Sequence, residues 1–237
     1  FSPNGQPVVV RDSDSIEELW DLDISSTVAR AIQENSRNYI LFSGDYRHVV
    51  IEGLDGLNLW DIEAGHSVPL PVNNIQSASF SPIAEESAEA SSRYLFVRDE
   101  SGGHIWDLAE QTSFSLDDEN IFDWSFGPNG RYLATSGRFG VRLWNLTKGQ
   151  LVGRIWHGGN DLQSWNRGFS WDMGFSPNGD YLLTRSDYAT NAWLIEPDRL
   201  VDDACSRLSR NLSQQEWQQY FDDEPYRVTC PNLPPAN

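Results

Sequence analysis

Residues 121–146 read IFDWSFGPNGRYLATSGRFGVRLWNL. The stretch is strand and turn chemistry throughout. Ile121 to Phe126 is rich in β-favouring side chains and ends on Phe126. Gly127-Pro128-Asn129-Gly130 reads as a tight turn, because Pro presets the backbone at the second turn position and Asn-Gly tolerates left-handed geometry. Tyr132 to Thr135 reads as a strand, Phe139-Gly140 as a second turn, and Val141 to Leu146 as a third strand carrying Trp144. Leu151 to Trp156 supplies a fourth. Phe126 and Trp144 stand 18 residues apart.

The same unit recurs along the chain. Phe1, Phe42, Phe80, Phe126 and Phe175 follow at spacings of 41, 38, 46 and 49 residues. Trp20, Trp60, Trp106, Trp144 and Trp193 answer them. The Phe-to-Trp offset is 18 in three repeats, 19 in the first and 26 in the third, where Ile83 to Ser91 reads as an acidic, Ala-rich loop insertion. The β-rich runs Val49 to Ile51, Tyr94 to Val97 and Tyr181 to Thr184 fall where Tyr132 to Thr135 falls. Thr112 to Leu116 reads as another fourth strand, and Ile75 to Phe80 as another first. A fixed period near 40 residues marks a repeat architecture.

Four short antiparallel strands per repeat make one blade of a β-propeller. The sequence resembles the WD-repeat family: Trp20-Asp21, Trp60-Asp61 and Trp106-Asp107 carry its dipeptide, while Trp144-Asn145 and Trp193-Leu194 depart from it. The resemblance covers residues 1–196 and implies an all-β fold with about five blades. It also implies a hydrogen-bonded structural tetrad, approached in the last repeat by His157, Ser186 or Thr184, Asp187 and Trp193. Strand counting gives three, four, four, four and three, and no fourth strand follows Trp193 before Pro197. The expectation is a fragment of a larger propeller, truncated at its N-terminus. A self-contained five-bladed ring with an open seam is the alternative.

Composition narrows the partners. The 237 residues include 17 Lys and Arg against 35 Asp and Glu, a formal charge of −18. Nucleic acid and anionic membranes call for clustered positive charge and are excluded as main partners. No window approaches a membrane-spanning length of apolar residues. Ten Trp separate the chain from disordered acidic sequences.

Residues 197–237 change character. Asp198 to Leu208 places Leu200, Val201, Ala204, Cys205 and Leu208 on one helical face. Ser213-Gln214-Gln215-Glu216 is a capping box opening a second helix through Trp217, Tyr220 and Phe221, which Glu224-Pro225 ends. Two short helices are not stable alone, so the tail is expected to pack on the propeller with Trp217 and Tyr220 as anchors. Arg210-Asn211-Leu212-Ser213, Glu216-Trp217, Tyr220, Pro225-Tyr226-Arg227 and Thr229-Cys230-Pro231 resemble the segment that ends many bacterial WD-repeat proteins, among them STAND-class signalling NTPases and caspase-like proteins. That resemblance implies a cytoplasmic, multidomain bacterial protein with an NTPase or protease part upstream.

Candidate chemistry is sparse. His157, Ser186 and Asp187 resemble a hydrolase triad in type only, without a nucleophile elbow, and the structural tetrad accounts for them. Cys205 and Cys230 are a disulfide if the tail folds back, or two free thiols. No paired Cys or His spacing supports a metal, and no P-loop follows Gly102-Gly103 or Gly158-Gly159, so no cofactor is expected. The acidic groups at Asp12 to Glu18, Asp117 to Glu119 and Asp222 to Glu224 lack the pattern of a calcium loop.

Connections between blades carry the binding candidates. Asp117, Asp118, Glu119, Asp161 and Trp165 sit in such connections, and an acidic rim with aromatics suits a basic protein partner. The expected function is a non-catalytic propeller, a sensor or scaffold that recognises a protein. An enzyme site in the propeller channel, using His157 and Asp187, and a stand-alone structural scaffold are the alternatives.

Overall fold

In a computed structural model of the chain, the described residues are 9–12, 15–19, 40–53, 56–62, 64–72, 74–83, 92–117, 121–137, 140–155, 172–185, 189–221 and 224–234. They form two compact units, Phe1–Trp171 and Asp172–Asn237. The second unit holds the last described strands together with the helical tail.

The first unit opens with a two-stranded sheet of β1 (Val9–Asp12) and β2 (Ser15–Leu19). Three four-stranded antiparallel sheets follow, each in strict sequence order. The first contains β3 (Ile40–Phe42), β4 (His48–Gly53), β5 (Gly56–Asp61) and β6 (His66–Leu70). The second contains β7 (Ser77–Phe80), β8 (Tyr94–Asp99), β9 (Gly102–Asp107) and β10 (Thr112–Leu116). The third contains β11 (Ile121–Phe126), β12 (Tyr132–Gly137), β13 (Gly140–Asn145) and β14 (Gln150–Ile155). The second unit holds a three-stranded sheet, β15 (Asp172–Phe175), β16 (Tyr181–Arg185) and β17 (Thr190–Leu194), then α1 (Pro197–Arg207) and α2 (Gln214–Phe221). The all-β reading with a two-helix tail therefore holds, and β17 leads into α1 with no fourth strand between them among the described residues.

Register shows why the Phe and Trp recur. Phe42, Phe80, Phe126 and Phe175 each oppose an aliphatic residue of the next strand: Val49, Leu95, Leu133 and Leu182. Those residues in turn oppose Trp60, Trp106, Trp144 and Trp193. One Phe–aliphatic–Trp row thus crosses three strands in four sheets. Phe80, Leu95 and Trp106 join Val50, Leu57 and Leu70 of the preceding sheet in one core cluster. Phe126, Leu133 and Trp144 join Phe96, Ile105 and Leu116 of theirs in another. In the second and third sheets the row is the surface that packs on the sheet before.

The alternate positions pack the other way. Leu95 and Val97 of β8 face the first sheet, and Tyr94 and Phe96 face the third. All four are essentially inaccessible, because successive side chains leave opposite faces of a strand and both faces are covered. Each such residue contributes about 1.5–3 kcal/mol of apolar burial. Every residue of β12 is buried as well.

Polar turns repeat as faithfully. Asp61 Oδ1 accepts the Ala64 N–H at 2.8 Å, Asp107 Oδ1 accepts those of Ala109 and Glu110 at 3.1 and 3.2 Å, and Asn145 Oδ1 accepts that of Lys148 at 3.1 Å. After Trp60, Trp106 and Trp144, the next residue therefore starts the hairpin to the fourth strand as an Asx-type turn. Four positions further on, Gly65, Gln111 and Gly149 all take left-handed φ, 65°, 53° and 60°. Leu194 has no side-chain acceptor, and at that point the chain turns into α1 at Pro197.

Candidate functional site

Three features follow from the sequence: the structural tetrad, the acidic rim and the tail. His157, Ser186 and Asp187 of the tetrad lie outside the described residues, as do Trp20, Asp21, Asp118, Glu119, Asp161 and Trp165. What is described of the tetrad is its Trp. Trp193 Nε1 donates to Thr184 Oγ1 at 2.9 Å. Trp144 Nε1 donates to Thr135 Oγ1 at 3.0 Å, so the preceding repeat keeps this bond as well. The matching cross-strand positions beside Trp60 and Trp106 are Ile51 and Val97, which carry no acceptor. Trp60, Asp61, Trp106 and Asp107 are thus structural, through the packing row and the Asx turn.

The rim is built where β8, β10 and β11 end or begin. Asp117 follows β10 and is exposed. Across the connection, Ile121 pairs with Gly137 and Asp123 pairs with Ser136, so Phe122 is an extra residue in the ladder. This bulge turns Phe122 outward, 57% exposed, while Ile121 stays buried. Arg98 at the end of β8 holds the bulge: its Nη1 donates to the Ile121 carbonyl at 2.6 Å and to the Phe122 carbonyl at 3.3 Å. The same guanidinium lies 5.6 Å from the Trp124 ring, which packs 5.0 Å from Phe96. An exposed aromatic is therefore held by a cation that satisfies its backbone, and the exposed Asp117 and Asp123 precede and follow it in sequence.

A second network stiffens the neighbouring hairpin. Asp99 Oδ1 accepts from the Ser101 N–H at 2.7 Å and from its hydroxyl at 2.6 Å, and lies 3.2 Å from His104 Nε2. His104 Nδ1 lies 3.0 Å from Ser115 Oγ on β10. With the Nε2 proton directed at the carboxylate, Nδ1 accepts the Ser115 hydroxyl, and one imidazole links three strands. Burial pushes the Asp99 carboxyl up, but the Ser101 and His104 hydrogen bonds outweigh it and hold the group below its ordinary value.

Sequence reasoning located Asp117 and missed Phe122, Arg98 and His104. Alternation places Phe122 on the face of Trp124 and Phe126, and only the bulge reverses it. The adjacent apolar pair Ile121-Phe122 was the available signal, since both cannot face one core without a slip of register.

In the tail, the capping box forms in both directions: the Glu216 N–H donates to Ser213 Oγ at 3.2 Å, and the Ser213 N–H donates to Glu216 Oε2 at 2.8 Å. Arg210 forks onto Glu216, both bonds 2.8 Å. Those Arg210 bonds, then the Ser213 N–H, hold the Glu216 carboxyl down at about 2. Trp217 is buried, with Phe221 and Tyr226 rings at 4.3 and 5.8 Å and its Nε1 donating to the Glu224 carbonyl at 2.9 Å. Tyr220, the other expected anchor, is instead 68% exposed. Phe221, one turn on from Trp217, and Tyr226 supply the packing. Cys205 and Cys230 are joined in a disulfide, with Cα atoms 5.5 Å apart.

Among the described residues, no group of His, Cys, Asp and Glu is gathered that could hold a metal ion, and no helix is long and apolar enough to cross a membrane. No protein-family model matches the chain, and no curated protein matches it.

Proposed function

We propose that the chain is a non-catalytic interaction module, a set of WD-type propeller blades that displays a fixed rim to a protein partner. The observation that carries this reading is the pinned Phe122. An exposed aromatic costs least entropy on binding when its backbone is already fixed, and aromatic anchors dominate interface energetics. Arg98 provides that fixation. Asp117 and Asp123 stand on either side of Phe122 in sequence, and the chain carries 18 net negative charges, so the partner is read as basic around an apolar socket. The second sheet, packed on both faces, serves as the rigid support.

On the resemblance of repeats and tail, the module is read as the sensor or scaffold part of a larger bacterial signalling protein. Binding at the rim would then bias an upstream NTPase or protease part. The test is affinity capture from the source organism with three proteins: the parent chain, Phe122→Ser and Val68→Ser. Val68 on β6 is also exposed, at 51%, and serves as the control for non-specific apolar contact. A partner held by the parent and Val68→Ser but lost by Phe122→Ser supports the reading. Equal loss in both variants, or retention in both, refutes it.

A further inference from the structure

We propose that the Cys205–Cys230 disulfide is a redox-operated clasp that holds α1 in place and releases it on reduction. The tail has two parts of very different solidity. One is a knot that does not involve α1. Asn211 is buried and grips the C-terminal segment at both ends of one residue: its Nδ2 donates to the Cys230 carbonyl at 2.9 Å, and its Oδ1 accepts the Cys230 N–H at 2.9 Å. Its Nδ2 also reaches the Leu233 carbonyl at 2.9 Å, and the Asn211 N–H donates to the Pro234 carbonyl at 2.9 Å. The Tyr226 hydroxyl donates to the Leu212 carbonyl at 3.0 Å. With the Trp217 cluster and the Arg210–Glu216 fork, this knot closes on itself between residues 210 and 234.

The other part is α1. It buries none of its residues. Its apolar stripe is open, with Leu200, Val201 and the adjoining Leu208 at 46%, 43% and 53% exposure. Among the described residues, two side-chain links attach it elsewhere, the Cys205 disulfide and the Arg199–Asp180 ion pair, whose Arg199 side is exposed. A surface ion pair adds little, and an 11-residue helix is marginal in water by itself. The covalent bond is therefore what keeps α1 where it is.

The two sulfurs are unequal. Cys230 is buried and its backbone is held by Asn211, whereas Cys205 is partly exposed. A dithiol reductant attacks through its thiolate at Cys205 Sγ, forming a mixed disulfide and expelling Cys230 as thiolate, which takes a proton from water. The second thiol of the reductant then displaces Cys205, also as thiolate. Two electrons pass to the protein and the reductant leaves as a disulfide. Cys230 remains fixed by Asn211, so the partner for reoxidation stays in position while Cys205 departs with the helix. In an oxidising compartment the clasp is closed, and a reducing one opens it.

The test is amide hydrogen exchange on the full chain, oxidised and then reduced with dithiothreitol, with thiol titration in each state. The double variant C205S/C230S is the covalent control. The expected result is no free thiol before reduction and two after. Amides of residues 200–207 then exchange at least tenfold faster, while those of Asn211, Trp217 and Cys230 are unchanged. The variant reproduces the reduced pattern under oxidising conditions. Two thiols titrating in the oxidised protein would overturn the proposal. So would unchanged protection of α1 after reduction, which makes its docking non-covalent, or collapse of the Trp217 region together with α1, which makes the bond a staple for the whole tail. None of these readouts depends on rim binding, so the clasp and the rim fail separately.

Discussion

At Gly103 the second and third sheets come close, and adding one methyl there tests their packing directly. It lies on β9, and a Cβ at this position would meet Ile121 Cδ1 at 2.6 Å, Phe96 Cε2 at 2.9 Å and Leu116 Cδ1 at 3.2 Å. Ile121 belongs to β11 of the next sheet and is buried in the shared cluster, so it has little room to retreat. Overpacking of this kind costs about 1–3 kcal/mol, and Gly103→Ala is expected in that range. Ile121→Val deletes the Cδ1 that stands nearest and by itself costs about 0.5–1.5 kcal/mol. If the sites were independent, the double variant would lose roughly 1.5–4.5 kcal/mol. The contact distances say otherwise: removing Cδ1 relieves the worst clash and leaves Phe96 Cε2 at 2.9 Å, so relief is partial. The double variant should be more stable than the sum by at least about 0.5 kcal/mol. Urea unfolding followed by far-ultraviolet circular dichroism, with equal slopes in the four proteins, measures this cycle. Additivity, or a neutral Gly103→Ala, would refute face-to-face packing of β9 on β11.

Three further expectations come from the repeated positions and the tail. Gln111→Gly should raise stability by up to about 1 kcal/mol, because a non-Gly residue at left-handed φ is strained by about 1–2 kcal/mol and Gly returns part of that as unfolded-state entropy; Gly65 and Gly149 already occupy the matching turns, and thermal unfolding reads the change. Thr135→Val should cost about 1–3 kcal/mol by leaving the indole N–H of buried Trp144 without this acceptor, and Thr184→Val should cost less, since Trp193 is 37% exposed and water can replace the hydroxyl. Glu216 has a folded pKa of about 2, below its ordinary 4.5, so its contribution is complete above 4.5 and is lost as pH falls toward 2; the Ser213 amide resonance should move through that window in the parent and stay flat in Glu216→Gln.

Much of this architecture was legible because it depends on local rules repeated at fixed spacing. The Phe and Trp positions marked the strands, and the register turned them into one row per sheet. The capping box at Ser213 and Glu216 was legible for the same reason, being a relation between residues three apart. The rim was half legible. Asp117 stood out by charge, but Phe122 is turned outward by a one-residue slip that alternation does not encode. Arg98 was illegible because its partners, the Ile121 and Phe122 carbonyls, lie 23 and 24 positions along the chain and are backbone groups present at every residue. The cysteine pairing stood open in the sequence for a similar reason: it rests on a fold-back fixed by Asn211, whose amide reaches 19 residues along the chain.

The residue after each repeated Trp gives a sharper lesson, because the chain contains its own control. Asp107 does two jobs. Its Oδ1 accepts the N–H groups of Ala109 and Glu110, and its carboxylate takes the fork of Arg93, with Nη2 to Oδ2 at 2.8 Å. Asn145, one repeat later, has no carboxylate for an ion pair; its Oδ1 accepts the N–H of Lys148 at 3.1 Å and the Thr147 hydroxyl at 2.6 Å, and its hairpin still forms. The acceptor oxygen, not the charge, is therefore what the turn requires. Asp107→Asn keeps that oxygen and gives up the ion pair, whose Arg93 side is 43% exposed; the expected cost is at most about 1 kcal/mol. Asp107→Ala gives up both, and the two freed N–H groups and the lost Asx turn should add about 0.5–1.5 kcal/mol for each net hydrogen bond removed. Chemical denaturation of the two variants separates the roles. If Asp107→Asn proved as costly as Asp107→Ala, the ion pair would be the stabilising element, and the presence of Asn145 at the matching turn would need another explanation.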